Sequence, residues 1–181
     1  MKYNNEWLIK RYQAKETLHY TFFWGHKGEP GNVTKSCFSQ WWPAAFKDEH
    51  HTYPTAEHWM MAEKARLFKD ADTEEKILKA PTPADAKKLG RLVTNFNPTT
   101  WDAEKFNIVV KGNLLKFSQY PKMKDFLVST GDSIIVEASP LDRIWGIGMG
   151  ANNEHAENPT LWKGHNLLGY ALMEVRDQLK Q

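Results

Sequence analysis

The chain of 181 residues has a single cysteine, Cys37. No internal disulfide can form, and the composition suits a reducing compartment rather than a stapled secreted scaffold. Long apolar runs are missing as well; none approaches the ~18 residues that a bilayer-crossing helix needs. The first residues, Met1-Lys2-Tyr3-Asn4-Asn5-Glu6, lack the apolar core of a secretion signal. Nor does one sign of charge dominate, since 24 lysines and arginines face 22 acids for a net charge of +2. That balance excludes duplex binding through a dense basic field, while leaving contact with one nucleotide open. No repeat or low-complexity tract is present. The expectation is one domain, soluble and cytoplasmic, long enough to bury a core and with no membrane partner. What the chain does hold in quantity is aromatic surface: 13% of residues, including eight tryptophans.

The stretch Tyr53-Pro54-Thr55-Ala56-Glu57-His58-Trp59-Met60-Met61-Ala62-Glu63-Lys64-Ala65-Arg66-Leu67-Phe68 organises the rest. Proline steers the residue before it away from α geometry, and Thr55 can then cap the free amides of a helix. At about 100° per residue, Glu57, Met60, Met61, Lys64 and Phe68 share one face. A buried stripe normally excludes charge. Either this face borders a cleft that uses Glu57 and Lys64, or Glu57 favours the helix dipole and Lys64 snorkels to water.

Around it, residues 1–19 are weakly patterned and expected to form an N-terminal extension with a short helix near Trp7-Leu8-Ile9, followed by a domain over 20–181. Tyr20-Thr21-Phe22-Phe23-Trp24 predicts a buried strand and Gly28–Asn32 a turn. Asp72 or Thr73 can cap a helix running to Lys79. Thr82-Pro83-Ala84-Asp85 has proline at the first helical position and an acid three residues after threonine, a start signal for the helix carrying Leu89-Gly90-Arg91. Thr99-Thr100-Trp101-Asp102 opens the longest helix, in which Phe106, Val109, Val110, Asn113, Leu114 and Phe117 keep helical spacing. Pro121 begins another, ended by Gly131. Ser133–Ala138 predicts a second strand, and a closing helix follows Asn166. The fold class expected is α+β, helix-rich, a single compact domain with a few short strands.

Several motifs carry chemistry. Phe38-Ser39-Gln40-Trp41-Trp42-Pro43 packs aromatics around polar groups, which suits either a core or stacking on a base. Gly146–Ala151 fits G-x-G-x-x-A, but no strand precedes it directly and no helical pattern follows, so a dinucleotide fold is excluded. Its glycines still let backbone amides approach a ligand. His50, His51 and His58 show no zinc spacing, and no metal is expected. Glu137 leaving a strand, Asp142 in the following loop and Trp145 beyond it sit where catalytic loops are built. Two or three carboxylates with an amine suit cleavage of a glycosidic bond; the alternative is an Asp142-Arg143 surface ion pair.

Six motifs in order, Phe38–Pro43, Tyr53–His58, Lys64–Phe68, Leu89–Arg91, Val136–Gly146 and Asn166–Gly169, resemble the YbiA-like proteins, also called NADAR domains. The resemblance spans Tyr20 to Leu179. It implies N-glycosidase chemistry on ribosylated bases with no cofactor: either ribosylamino-pyrimidine phosphates, early intermediates of riboflavin synthesis, or ADP-ribose on the exocyclic amine of guanine in single-stranded nucleic acid. Both bonds join ribose C1 to an exocyclic amine on a flat heterocycle. By this resemblance Glu57, Lys64 and Asp142 are the catalytic candidates. Phe38, Ser39, Gln40, Trp41, Arg91, Glu137, Arg143, Trp145, Gly146, Gly148 and Asn166 are the ligand-binding ones. The family usually has asparagine where this chain has Gln40. In this reading Glu57 or Asp142 donates a proton, and Lys64 either stabilises water or adds to C1 as a transient Schiff base. Trp145 and Trp41 stack on the base, while Arg91, Arg143 and glycine amides hold phosphate. The rival is a module that binds NAD or ADP-ribose without cleaving it.

Overall fold

The computed structural model describes residues 1–28 and 32–180. In chain order the elements are α1 (Asn5–Gln13), β1 (Tyr20–Phe23), a short 3-10 helix (Lys35–Phe38), β2 (Phe46–Lys47), β3 (Thr52–Tyr53), α2 (Ala56–Leu67), α3 (Ala71–Leu78), α4 (Pro83–Gly90), α5 (Pro98–Ser118), α6 (Pro121–Ser129), β4 (Ile134–Glu137), a second 3-10 turn (Pro159–Leu161) and α7 (Leu167–Leu179). The class is the expected one, α+β and rich in helix with a few short strands. The contacts divide the chain into two units, Met1–Ser39 with Pro121–Gln181 and Gln40–Tyr120. The turn expected at Gly28–Asn32 falls mainly on residues 29–31, outside the described residues.

The first unit is built on a parallel pair, β1 with β4, in the register Tyr20↔Ile134 to Phe23↔Glu137. β4 supplies three buried residues in a row, Ile134, Ile135 and Val136, the pattern of a strand covered on both faces. β1 is less buried than a run of aromatics suggests: only Phe23 is in the core, and Trp24 is 64% exposed. Helix α7 packs on β4 at Gly169, where a Cβ would come within 2.1 Å of the Ile135 carbonyl oxygen. At the N-terminus, Asn4 caps α1 by accepting from the Trp7 amide. Leu8 is fully buried, and the Tyr170 hydroxyl donates to Asn5 Oδ1 at 2.9 Å, tying α1 to α7.

The second unit is arranged around α2, which packs against α3, α4 and α5. Thr55 is its N-cap, as the sequence predicts. The single apolar stripe is not what forms. Ala56 through Ala62 are all buried, so the helix is covered nearly all round by its three neighbours. Trp59 reaches α5 and donates its indole N–H to the Ile108 carbonyl at 2.8 Å. Helix α3 begins two or three residues earlier than expected, because Asp70 rather than Asp72 or Thr73 is the cap. Asp70 accepts from the Thr73 amide through Oδ1 and from the Thr94 amide and hydroxyl through Oδ2. These donors hold its carboxyl down to about 2. Helix α4 starts at Pro83 with Thr82 as cap, as expected, and α5 starts at Pro98 with Asn97 as cap rather than at Thr99. The antiparallel β2–β3 hairpin has no counterpart among the sequence expectations. Its turn is held by Asp48, which accepts from the His50 and His51 amides. No helix among the described residues is long and apolar enough to cross a membrane.

Candidate active-site residues

In the Gln40–Tyr120 unit, Glu57 is the second residue of α2 and only 3% exposed. A carboxylate belongs in a first helical turn, where the dipole and free amides favour negative charge. Burying it so completely is unusual for that purpose, which water could serve as well. Its amide donates to the Gln40 carbonyl at 3.0 Å, so Gln40 covers one of the orphan amides of the helix start. Gln40 is itself 7% exposed, and its Oε1 accepts from Asn113 Nδ2 at 2.8 Å. Trp41 is half-buried, with Lys87 Nζ 5.9 Å from its ring centroid.

Lys64 lies two helical turns from Glu57. Its ammonium donates to the Gly90 carbonyl, at the end of α4, at 2.8 Å. It stands 4.3 Å from the centroid of Phe96 and 5.5 Å from that of Trp101. Carbonyl and ring faces both attract a cation, yet burial lowers the pKa of this amine below the usual lysine value. Arg91, the C-cap of α4, is exposed beside it in sequence. The unit thus brings Gln40 to Glu57 and sets Lys64 beside the α4 terminus that Arg91 follows.

In the other unit the loop after β4 is fastened by Asn166. Its Nδ2 donates to the Ile135 carbonyl at 2.9 Å, and its Oδ1 accepts from the Glu137 amide at 3.0 Å. Asn166 is fully buried and left-handed, with φ 52°, a conformation asparagine tolerates better than most residues. Its side chain therefore pairs with β4 much as a neighbouring strand would. Asp142 does the same for the loop itself: Oδ1 accepts from the Ile144 amide at 2.8 Å and the Trp145 amide at 2.7 Å. The segment 143–147 is laced to 163–168 by backbone bonds, including Asn166 to Gly146 and Leu168 to Trp145. Gly146 permits this crowding, since a Cβ there would meet the Glu137 carbonyl oxygen at 2.8 Å; Gly148 adopts φ +68°. Glu137, Asp142, Trp145, Gly146, Gly148 and Asn166 are so gathered into one short region. Trp145 is half-buried and Arg143 exposed at its edge. After Gly150 the chain enters turns rather than a helix, so the glycines do not open a dinucleotide-type helix.

Two expected ligand residues lie at the end of the short 3-10 helix. Phe38 is fully buried between Phe23 and Phe126, each with its ring centroid 5.5 Å away. Ser39 closes the short 3-10 helix, its amide donating to the Ser36 carbonyl. Sequence reasoning passed over Asn113 and Lys116, both fully buried on α5, and over Phe96 and Trp101 beside Lys64. A signal for the first was present: Asn113 occupies an apolar position in the helical pattern of 106–117, where an amide needs a partner.

Within the Gln40–Tyr120 unit, α2 thus carries a buried acid and a partly desolvated lysine; within the other unit, Asp142 and Asn166 clamp a loop of backbone amides. The model of the NADAR domain matches residues 22–180, and the chain belongs to that family. It is 46% identical over 171 residues to N-glycosidase R617 of Acanthamoeba polyphaga mimivirus, covering 92% of this chain and 99% of that protein. It is 31% identical over 138 residues to the chloroplastic riboflavin biosynthesis protein PYRR of Zea mays, covering 72% of this chain but 20% of that protein. The NMR structure of the E. coli protein YbiA superposes with a TM-score of 0.69 at 27% identity, covering 91% of this chain and 88% of that one. The enzyme class that follows is a hydrolase of N-glycosyl compounds.

Proposed function

We propose that the chain hydrolyses the bond between ribose C1 and an exocyclic amine of a base, on ADP-ribosylated guanine or on ribosylamino-pyrimidine phosphates. The observation that carries this reading is Glu57, a carboxylate 3% exposed in the first turn of a helix that is otherwise core. Such a group suits a general acid, because a carboxyl held in place at a helix start and shielded from bulk water is positioned to hand a proton to a leaving amine. In the proposed reaction Glu57 protonates the departing amine, the C1–N bond breaks, and water adds to C1 as its proton passes back to the Glu57 carboxylate. Asp142 holds the loop amides in place through its bonds to Ile144 and Trp145 and offsets the positive charge that grows on the sugar. Lys64 either orients the water or adds to C1 itself as a Schiff base that water then hydrolyses, freeing sugar and amine; the lowered pKa of its amine favours the neutral form that addition needs. Gly146 and Gly148 amides with Arg143 and Arg91 are assigned to phosphate, and Trp145 and Trp41 to the base. The name of the maize relative favours the riboflavin branch without deciding it. Incubation with each substrate, scored for released sugar, tests the reading. Binding of either without release, in the wild-type protein, would point instead to a module that holds NAD or ADP-ribose. Glu57→Gln and Asp142→Asn are each expected to lose most turnover; full activity in both would overturn the acid assignments.

A further inference from the structure

Two buried side-chain amides meet in the Gln40–Tyr120 unit, and their polarity is fixed by the backbone. The Val109 carbonyl lies 3.0 Å from the Asn113 side-chain nitrogen. A carbonyl can only accept, so that atom is the NH2 of Asn113 and not its oxygen. The same NH2 donates to Gln40 at 2.8 Å, so the atom of Gln40 facing Asn113 is Oε1. Rotating either amide by half a turn would set two donors or two acceptors against each other. Gln40 is also anchored through its backbone, whose carbonyl accepts from the Glu57 amide. Held at both ends, it has one defined orientation with its NH2 turned away from α5.

That NH2 has no hydrogen-bond partner among the described residues, and neither has Asn113 Oδ1. Gln40 is 7% exposed and Asn113 fully buried, so bulk water does not make up the difference. A buried donor without an acceptor is unfavourable and is kept where something else supplies the acceptor. We propose that Asn113 is a positioning residue that fixes Gln40 so that its Nε2, and not its oxygen, meets an acceptor oxygen of the substrate. The proposal rests on the N-glycosidase reading for the identity of that substrate, and the acceptor is either a ring carbonyl of the base or an oxygen of the sugar phosphate.

Guanine and ribose 5-phosphate, stand-ins for the two products, separate the sources. Each is titrated by ligand-observed NMR into the wild type and into Gln40→Glu, Gln40→Met and Asn113→Leu. These readings require no turnover: if the wild type releases sugar from neither substrate the function reading fails, while the binding comparison still stands. Both Gln40 variants should weaken one probe by about tenfold, the order expected for a lost buried donor, and leave the other within about twofold. Loss confined to guanine assigns the acceptor to the base, and loss confined to ribose 5-phosphate assigns it to the sugar phosphate. Asn113→Leu should weaken the same probe by less, and should add nothing in a Gln40→Met background, because it acts only through Gln40. Unchanged affinities in both Gln40 variants overturn the proposal, as does equal loss for both probes. Additive losses in the double variant, or no loss in Asn113→Leu, overturn the positioning role of Asn113. Melting temperatures identify any variant that has merely unfolded, in which case the isosteric Gln40→Glu alone decides.

Discussion

Gly112→Ala pits two well-measured effects against each other at the contact that seats α2. Gly112 lies inside α5, where alanine favours the helix by about 1 kcal/mol over glycine. Propensity alone therefore predicts a more stable protein. The structure predicts the reverse. A Cβ at Gly112 would fall 2.2 Å from Trp59 Cδ1, 2.5 Å from Nε1 and 2.8 Å from Cγ, and the indole cannot move aside freely. Trp59 is 1% exposed, with Tyr53 packed edge-on at 5.0 Å between centroids and Phe46 tilted at 6.3 Å. Overpacking of this kind costs about 1–3 kcal/mol. If the indole tilts away it also gives up its 2.8 Å bond to Ile108, leaving a buried donor unpaired at about 1–3 kcal/mol. Less the propensity gain, the expected net loss is roughly 3 kcal/mol. In a chain of this size that lowers the melting temperature by about 6–12 °C. Urea unfolding of wild type and variant, followed by tryptophan fluorescence, measures it, and the slopes should match. A melting temperature at or above wild type would show that the α2–α5 contact is looser than these distances, and would refute the packing argument.

Other outcomes follow from the same geometry. His58 is fully buried; its Nε2–H donates to the Ala80 carbonyl at 3.0 Å, its Nδ1 lies 2.8 Å from the Thr55 hydroxyl, and burial lowers its pKa. Its neutral form is the folded form, so stability should be full above the unfolded pKa of about 6.5 and fall as pH drops through it, a slope absent in His58→Gln. Asn166→Ala removes two buried bonds to β4 and places alanine at φ 52°; about 3 kcal/mol of lost stability is expected by denaturant titration, and a loss under 1 kcal/mol would contradict the clamp. Lys64→Met keeps the aliphatic stem and should leave stability within about 1 kcal/mol of wild type while abolishing most sugar release; normal release would remove Lys64 from the mechanism.

Local start signals were legible because they are chemistry of a few neighbouring residues. Thr55, Thr82 with Pro83, and Gly131 all act where the sequence places them. The cap of α3 was misplaced because Asp70 is engaged by Thr94, far along the chain, and that partner selects it over Asp72. The depth of α2 was misread for a similar reason. Periodicity reports a helix's own faces, whereas burial of Ala56 through Ala62 depends on three other helices closing around it. The β2–β3 hairpin is two residues a side, too short for alternation to register. Among the candidate residues, Asn166 and Asp142 could be marked from sequence as members of a motif. That their side chains serve β4 and the loop amides depends on contacts 29 to 31 residues apart for Asn166 and within three for Asp142.

The separation of Glu57 from Lys64 constrains how labour can be divided between them. Seven residues of helix amount to a rise of about 10 Å, and the amine is directed to the Gly90 carbonyl and the Phe96 face. Attack of Lys64 on ribose C1 while Glu57 protonates the amine on that same carbon needs both groups within bonding reach of atoms one bond apart. The lysine would have to leave its carbonyl and ring contacts and lean toward the helix start. Orientation of water places one molecule between the amine and C1 and so asks for less movement, with the lowered pKa available to either branch. Borohydride added during turnover separates the two. A trapped adduct on Lys64 would mean that the amine leaves the α4 terminus in the working enzyme. Its absence, with sugar still released, would leave proton transfer to a carboxylate and the lysine to the water.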